Sequence, residues 1–268
     1  MNTRKPERAL LGTSALVFAA SAVVTVIWSE SMSAMPGMQM PGGWTMSMTW
    51  MRMPGQSWLH AAATFIGMWT VMMVAMMLPS LLPMLYSYRQ ALGHVNPRRA
   101  DRLTVLVGVS YFFVWTVCGV AAFALGMALA EAAMRMPAVS RSVPVARAVV
   151  VLAAGVLQFT AWKARQLACC RIAPTRMLPA DAATAWRHGT RLGFDCIQCC
   201  LGLTSVLLII GVMDLRAMAL VACAITVERL AFPELRVARS IGGVLIAAAL
   251  VMLTLEAGLL SNQVCRIL

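Results

Sequence analysis

The chain has 268 residues, 60% hydrophobic and 12% charged, with a mean hydropathy of +0.78 and a formal net charge of +12. That is too apolar for a soluble domain of this length, and it excludes disordered and nucleic-acid-binding classes. Runs of about 20 apolar residues recur, the length needed to cross ~30 Å of hydrocarbon at 1.5 Å per residue. The expectation is an all-α membrane protein, a polytopic bundle of about seven transmembrane helices whose main partner is the lipid bilayer.

The spans are expected at roughly 9–28, 58–80, 103–130, 146–167, 195–213, 216–232 and 241–260. The first follows the basic start MNTRKPER, which also describes a signal peptide. Its length, and the side on which cleavage would leave the next basic loop, favour a retained anchor. Alternating connections hold sixteen of the 22 Lys and Arg: the N-terminus, 86–102, 163–194 and 229–240. Basic loops face the cytoplasm, so the N-terminus is expected inside and the C-terminus outside. Spans five and six are joined by the tight turn Met213-Asp214-Leu215-Arg216 and should form a membrane-buried hairpin. Two parts are expected: residues 1–57, an anchor plus an outer loop, and residues 58–268, a six-helix domain.

The outer loop between spans one and two reads MSAMPGMQMPGGWTMSMTWMRM over 32–53, with eight methionines and no leucine, isoleucine or valine. Its glycines and prolines argue against a regular helix. Thioethers are neutral soft ligands that favour Cu(I), and they cannot be lost to disulfides in an oxidising compartment. Met35, Met38, Met40, Met46, Met48, Met51 and Met53 are the candidate ligands, with Trp44 and Trp50 placed to pack on a soft cation or on sulfur. The competing reading is an interfacial loop dipping Met and Trp into lipid headgroups. His60, at the outer mouth of span two, is a candidate nitrogen ligand.

In span two, Met68, Met72 and Met76 recur every four residues and share a helix face. Methionine is also good packing material, so core and ligand readings both stand. A row of weak ligands could pass an ion along. Pro79 is expected to kink this helix.

The cysteines show a complementary pattern. Cys169 and Cys170 end span four; Cys196, Cys199 and Cys200 begin span five. All five fall near the expected cytoplasmic face, where thiols stay reduced. Spacings of three and four put Cys196, Cys199 and Cys200 on one face, and Lys163, Arg165 and Arg171 would favour thiolate. A compact cluster of four or five sulfurs would bind Cu(I), with Zn(II) as the second candidate. A redox dithiol is the rival. Cys118 and Cys223 read as packing residues, and Cys265 stands alone outside. His94 and His188 read as solvated loop residues. Gln158 reads as a bundle hydrogen bond, and Glu228 as a partner for Lys163 or Arg229. No nucleophile with a base and no phosphate loop stands out, so the chain is not expected to be an enzyme.

Several separated motifs carry a resemblance: Trp69 with Ala75-Met76-Met77-Leu78-Pro79 and Pro83; Gly108 and Tyr111 to Trp115; Gly155 to Gln158 with Lys163 and Cys169-Cys170-Arg171; Gly193-Phe194-Asp195-Cys196 with Cys199-Cys200; Gly211 to Leu215; and Glu228-Arg229. In this order they resemble a bacterial family of predicted metal-binding integral membrane proteins of unknown function, over roughly 60–245. The resemblance implies a bacterial cytoplasmic (inner) membrane protein, hence a periplasmic outer loop and C-terminus, with a metal site at the cysteine motifs. The chain departs from the family pattern at Asp214, Arg229 and Leu201, where the family carries Asn, Lys and Trp. The methionine loop is similar in chemistry, not in fold, to Ctr-type copper transporters.

The expected function is binding of a soft ion, Cu(I), and its movement inward from the methionine loop to the cysteines. The alternatives are a non-transporting copper chaperone, sensor or assembly factor, and a thiol–disulfide membrane oxidoreductase. A periplasmic or cytoplasmic copper carrier is the expected protein partner.

Overall fold

The computed structural model of the chain describes residues 4–33, 37–47, 50, 55, 57–169, 179–231 and 234–267. The elements in order are α1 (Arg4–Ser33), β1 (Met38–Met40), β2 (Trp44–Met46), α2 (Trp58–Ala91), α3 (Pro97–Arg135), α4 (Pro137–Leu157), α5 (Ala161–Cys169), α6 (Ala182–Ile210), α7 (Leu215–Leu230) and α8 (Glu234–Ile267). Among the described residues six helical stretches are long and apolar enough to cross a membrane: Leu10–Met32, Trp58–Ala91, Pro97–Arg135, Pro137–Leu157, Ala182–Ile210 and Leu235–Gly258. The expected span at 216–232 is α7, whose 16 residues rise only about 24 Å. The fold is helical, with a short two-stranded hairpin in the methionine loop.

Local chemistry explains where the helices begin. Ser57 caps α2 by accepting from His60 N at 3.2 Å. Proline opens both α3 and α4, where a missing N–H costs nothing. Asp181 accepts from Thr184 N at 2.8 Å, and Asp214 accepts from Arg216 N and Ala217 N at 2.8 and 3.0 Å. α2 continues as one helix through Pro79 and Pro83. The expected single span at 146–167 is instead broken: α4 ends at Leu157, Gln158 caps it, and α5 resumes at Ala161.

The chain divides into two compact units. The first comprises Met1–Ser31, Pro54–Phe123 and Gln166–Cys199. Here α2 meets α3 through Trp69 Nε1, which donates to Trp115 O at 2.9 Å, and through a Thr70–Thr116 hydroxyl contact at 3.1 Å. Gly119 makes the room, since a Cβ there would collide with the Trp69 ring. Phe65 stacks on Trp69 at 6.0 Å between ring centroids and tilts against Phe123 at 5.2 Å. α6 lies on α3 at Gly189 and Gly193; a Cβ at Gly189 would strike Ser110 Oγ, and one at Gly193 would stand 2.9 Å from Val114 Cβ. Apolar helices gain little from leaving lipid for one another, so a small-x-x-x-small pair of this kind brings backbones close enough for packing to hold them.

The second unit comprises Met32–Met53, Ala124–Arg165 and Cys200–Leu268. Its main pairing is α4 with α8. Gly155 and Gly242 face each other there: a Cβ on Gly155 would stand 3.0 Å from Gly242 O, and one on Gly242 would stand 2.9 Å from Gly155 O. Val151, Ala154, Val206 and Ala249 form an apolar cluster drawn from α4, α6 and α8. Between α6 and α7 the chain turns at 211–214, with Gly211 at φ +143, two residues earlier than the expected 213–216 turn, so Leu215 and Arg216 open α7.

Candidate metal centre

The hairpin is built by its turn. Gly42 and Gly43 adopt φ of +111 and +76, a region that L side chains avoid. Gly43 N donates to Met40 O at 3.2 Å, closing a three-residue loop. The register pairs Met38 with Met46 and Met40 with Trp44. Alternation then puts Met38, Met40, Met46 and Trp44 on one face and Gln39 and Thr45 on the other. Met46 and Met40 are 3% and 8% exposed, packed with Ala130 and Ala133 of α3, while Met38 is 42% exposed. Three of the seven expected loop ligands therefore share one surface. Met35, Met48, Met51 and Met53 lie outside the described residues.

The hairpin is held to α4 by polar contacts. Trp44 Nε1 donates to Ser140 O at 2.8 Å, and Ser140 Oγ donates to Pro41 O at 2.6 Å. The Arg147 guanidinium sits 4.9 Å from the Trp44 ring centroid. One face of the Trp44 ring therefore already meets a cation. Trp50 packs against the same cluster and lies over Gly126, where a Cβ would collide with its ring.

On α2, Met68, Met72 and Met76 are 7%, 1% and 5% exposed. Met73 and Met77, on the adjacent row, are fully buried. Both rows are therefore inside the packing. His60 is exposed in the first turn of α2. His188 is not a solvated loop residue: it lies on α6, half-buried, and stacks on Tyr88 at 5.1 Å.

Cys196, Cys199 and Cys200 are all buried, 0%, 2% and 1% exposed. They sit deeper along their helix than the apolar run alone suggests. α6 starts at Ala182, so Cys196 stands fourteen residues, about 21 Å of helical rise, from its N-terminus. The polar turns carrying Arg187 and Arg191 precede it. The Tyr111 hydroxyl, itself buried, donates to Cys196 Sγ at 2.9 Å. The glycine pair places it there: Gly189 and Gly193 let α6 approach α3, and Cys196 follows three residues later beneath Tyr111. A phenol donating to sulfur stabilises thiolate, the form that binds a metal. Tyr111 entered the sequence reading only through the family resemblance; a tyrosine spaced from a cysteine by 85 residues carries no local signal.

Cys169 is exposed at the end of α5, and Cys170 lies outside the described residues. Among the described residues no three His, Cys, Asp or Glu side chains converge to hold a metal. Elsewhere, Glu228 does pair with Lys163, at 2.7 Å, and accepts from Gln158 Nε2 at 2.6 Å.

The PpoB2 copper chaperone family matches residues 66–252. The chain belongs to that family. Its function is accordingly copper-related. The family match takes in the α2 methionine row, Cys169, the α6 thiols with Tyr111, and the Gln158–Lys163–Glu228 group, and it leaves out the methionine hairpin. No curated protein and no solved structure matches the chain.

Proposed function

We propose that the chain is a bacterial inner-membrane Cu(I) chaperone that captures the ion on hairpin thioethers and holds it on the α6 thiols. Lipid is its surroundings, with the N-terminus in the cytoplasm. The observation that carries the reading is the buried thiol row of α6, with Tyr111 donating to Cys196, inside the region that matches a copper chaperone family. The donors fit the cargo. Neutral thioethers select a soft monovalent ion over Zn(II) or Cu(II), and thiolates bind it more tightly than thioethers do. The order from hairpin to cysteine therefore runs downhill. Zn(II) at the thiols is the weaker candidate. A copper carrier on either side is the partner that would supply or receive the ion.

Inward passage is the second reading, favoured by the burial of Met68, Met72 and Met76 along α2. A thiol–disulfide oxidoreductase would need turnover without copper.

Cu(I) titration of the purified full chain against a competing chelator tests the proposal. Replacing Cys196, Cys199 and Cys200 with serine should remove the tight sites. Replacing Met38, Met40 and Met46 with leucine should remove weaker ones and leave the tight ones. Unchanged stoichiometry in the serine variant would refute the assignment. Uptake into sealed vesicles separates passage from chaperoning: bound copper without flux leaves the chaperone alone.

A further inference from the structure

The polar group at the α4–α5 break has no part in the copper chemistry above. Gln158 caps α4, the chain turns at Phe159 and Thr160, and Thr160 Oγ1 accepts from Lys163 N at 3.2 Å to start α5. Irregular backbone in an apolar bundle persists where it serves a site. The turn brings together three side chains that are each costly away from water. Glu228 of α7 accepts from Lys163 Nζ on Oε2 at 2.7 Å and from Gln158 Nε2 on Oε1 at 2.6 Å. Gln158, Lys163 and Glu228 are 5%, 3% and 1% exposed.

α7 adds Arg229, next in sequence and 6% exposed. α8 closes on the Gln158 stem at Gly242, where a Cβ would stand 2.7 Å from Gln158 Cβ, and its nearby Arg239 is exposed. α6 packs on α4 where a Cβ at Gly202 would stand 3.6 Å from Ala154 Cα, and the titratable group α6 holds in this unit is Cys200.

One atom is unexplained by a static ion pair. Gln158 Oε1 is buried and accepts no hydrogen bond. An amide can serve both forms of a carboxyl group: its NH2 donates to the carboxylate, and after a half-turn about χ3 its oxygen accepts from the acid. The geometry points to Glu228 as a proton-exchange site, with Gln158 serving both of its forms and Lys163 acting as counter-ion to the charged one. The ligand is a proton from the aqueous phase. On uptake an O–H bond forms on the Glu228 carboxylate, the ion pair with Lys163 becomes a contact between an ammonium and a neutral acid, and no electron moves. Release reverses the step.

Difference infrared spectroscopy of the full chain in lipid vesicles tests this, scanned from neutral pH down into acid, because the Lys163 ammonium favours the carboxylate. A protonated-carboxyl band should grow on acidification, shift in D2O and vanish in Glu228→Gln. Gln158→Met can neither donate nor accept like an amide, and it should move the midpoint by about one pH unit, a tenfold change in proton affinity. No such band in the unaltered chain overturns the proposal, as does a band that persists in Glu228→Gln. Should Glu228→Gln not fold, an unmoved midpoint in Gln158→Met overturns it. The readout needs no copper, so its failure is separate from failure of the chaperone reading.

Discussion

Replacing Lys163 with methionine keeps the stem's volume and deletes the charge. The ammonium lies 2.7 Å from Glu228 Oε2, and the two side chains are 4% and 2% exposed. At an effective dielectric constant near 20 their attraction is about 6 kcal/mol, most of it offset by the cost of taking both charges from water. The net worth of the pair is therefore small, but the cost of breaking it is not. A carboxylate left alone in that site costs about 3–5 kcal/mol. Glu228→Gln strands the ammonium and should cost a comparable amount. The double variant has no charge left to strand and should recover at least half of the summed loss. Unfolding in detergent at neutral pH, followed by tryptophan fluorescence, gives all three values. Additive single losses would refute the pairing, and a loss below about 1 kcal/mol for Lys163→Met would mean that water reaches the site.

Tyr111→Phe removes one hydrogen bond to Cys196 sulfur, and a bond to a charged partner is worth about 1.5–3 kcal/mol; Cu(I) affinity should fall about tenfold or more, with stoichiometry unchanged in chelator competition. Gly193→Leu forces a side chain between α6 and α3, where even a Cβ would stand 2.9 Å from Val114 Cβ; it should cost about 1–3 kcal/mol and raise the alkylation rate of Cys196, a combination that Gly243→Leu, at an open position, should not produce. Asp181 has its carboxyl held below the usual range by hydrogen bonds from Thr184 and lies outside the apolar runs. A carboxyl lowered on folding adds stability above its unfolded value and loses it as pH falls through the folded one; amide exchange at Thr184 should therefore stay protected at the ordinary aspartate midpoint and accelerate only in stronger acid.

The helical plan was legible because hydrocarbon leaves a long chain few alternatives. Six of the helices are long and apolar enough to cross a membrane, whereas 216–232 holds the shorter α7 and 146–167 is broken at Gln158; the Glu228–Lys163 pair follows from the cost of leaving either residue alone. The break at Gln158 was not legible. Residues 146–167 carry no proline or glycine at the turn itself, and the reason to stop lies in side chains arriving from α7. The hairpin was missed for a related reason. Pro41-Gly42-Gly43 announces a turn, but in the flanking Met38-Gln39-Met40 and Trp44-Thr45-Met46 only Trp44 and Thr45 are of the aromatic and β-branched types that mark strands. Ser140 and Ala130, nearly a hundred residues away, hold the pairing in place. The depth of the thiols escaped because hydropathy ignores the polar turns of a helix, and α6 begins with Arg187 and Arg191 already wound.

Packing and ligation are not exclusive for the hairpin methionines. Met40 and Met46 fill the surface over Ala130 and Ala133, a task that leucine performs with less conformational freedom and at nearly equal volume. Such a swap costs under about 1.5 kcal/mol in a packed core. If packing were the whole requirement, a segment holding eight methionines would have room for some leucine, isoleucine or valine, and 32–53 has none. What methionine adds is a polarizable sulfur on three rotatable bonds. The register sets Met38 directly opposite Met46, with one sulfur-bearing side chain half in solvent and the other buried. A soft ion could then meet Met38 first and be drawn toward the buried pair without moving the backbone. On the proposed chaperone reading, Arg147, whose guanidinium lies 4.9 Å from the Trp44 ring centroid, would put a positive charge near the bound ion and limit how tightly the hairpin holds it, as suits a site that must give its ion up.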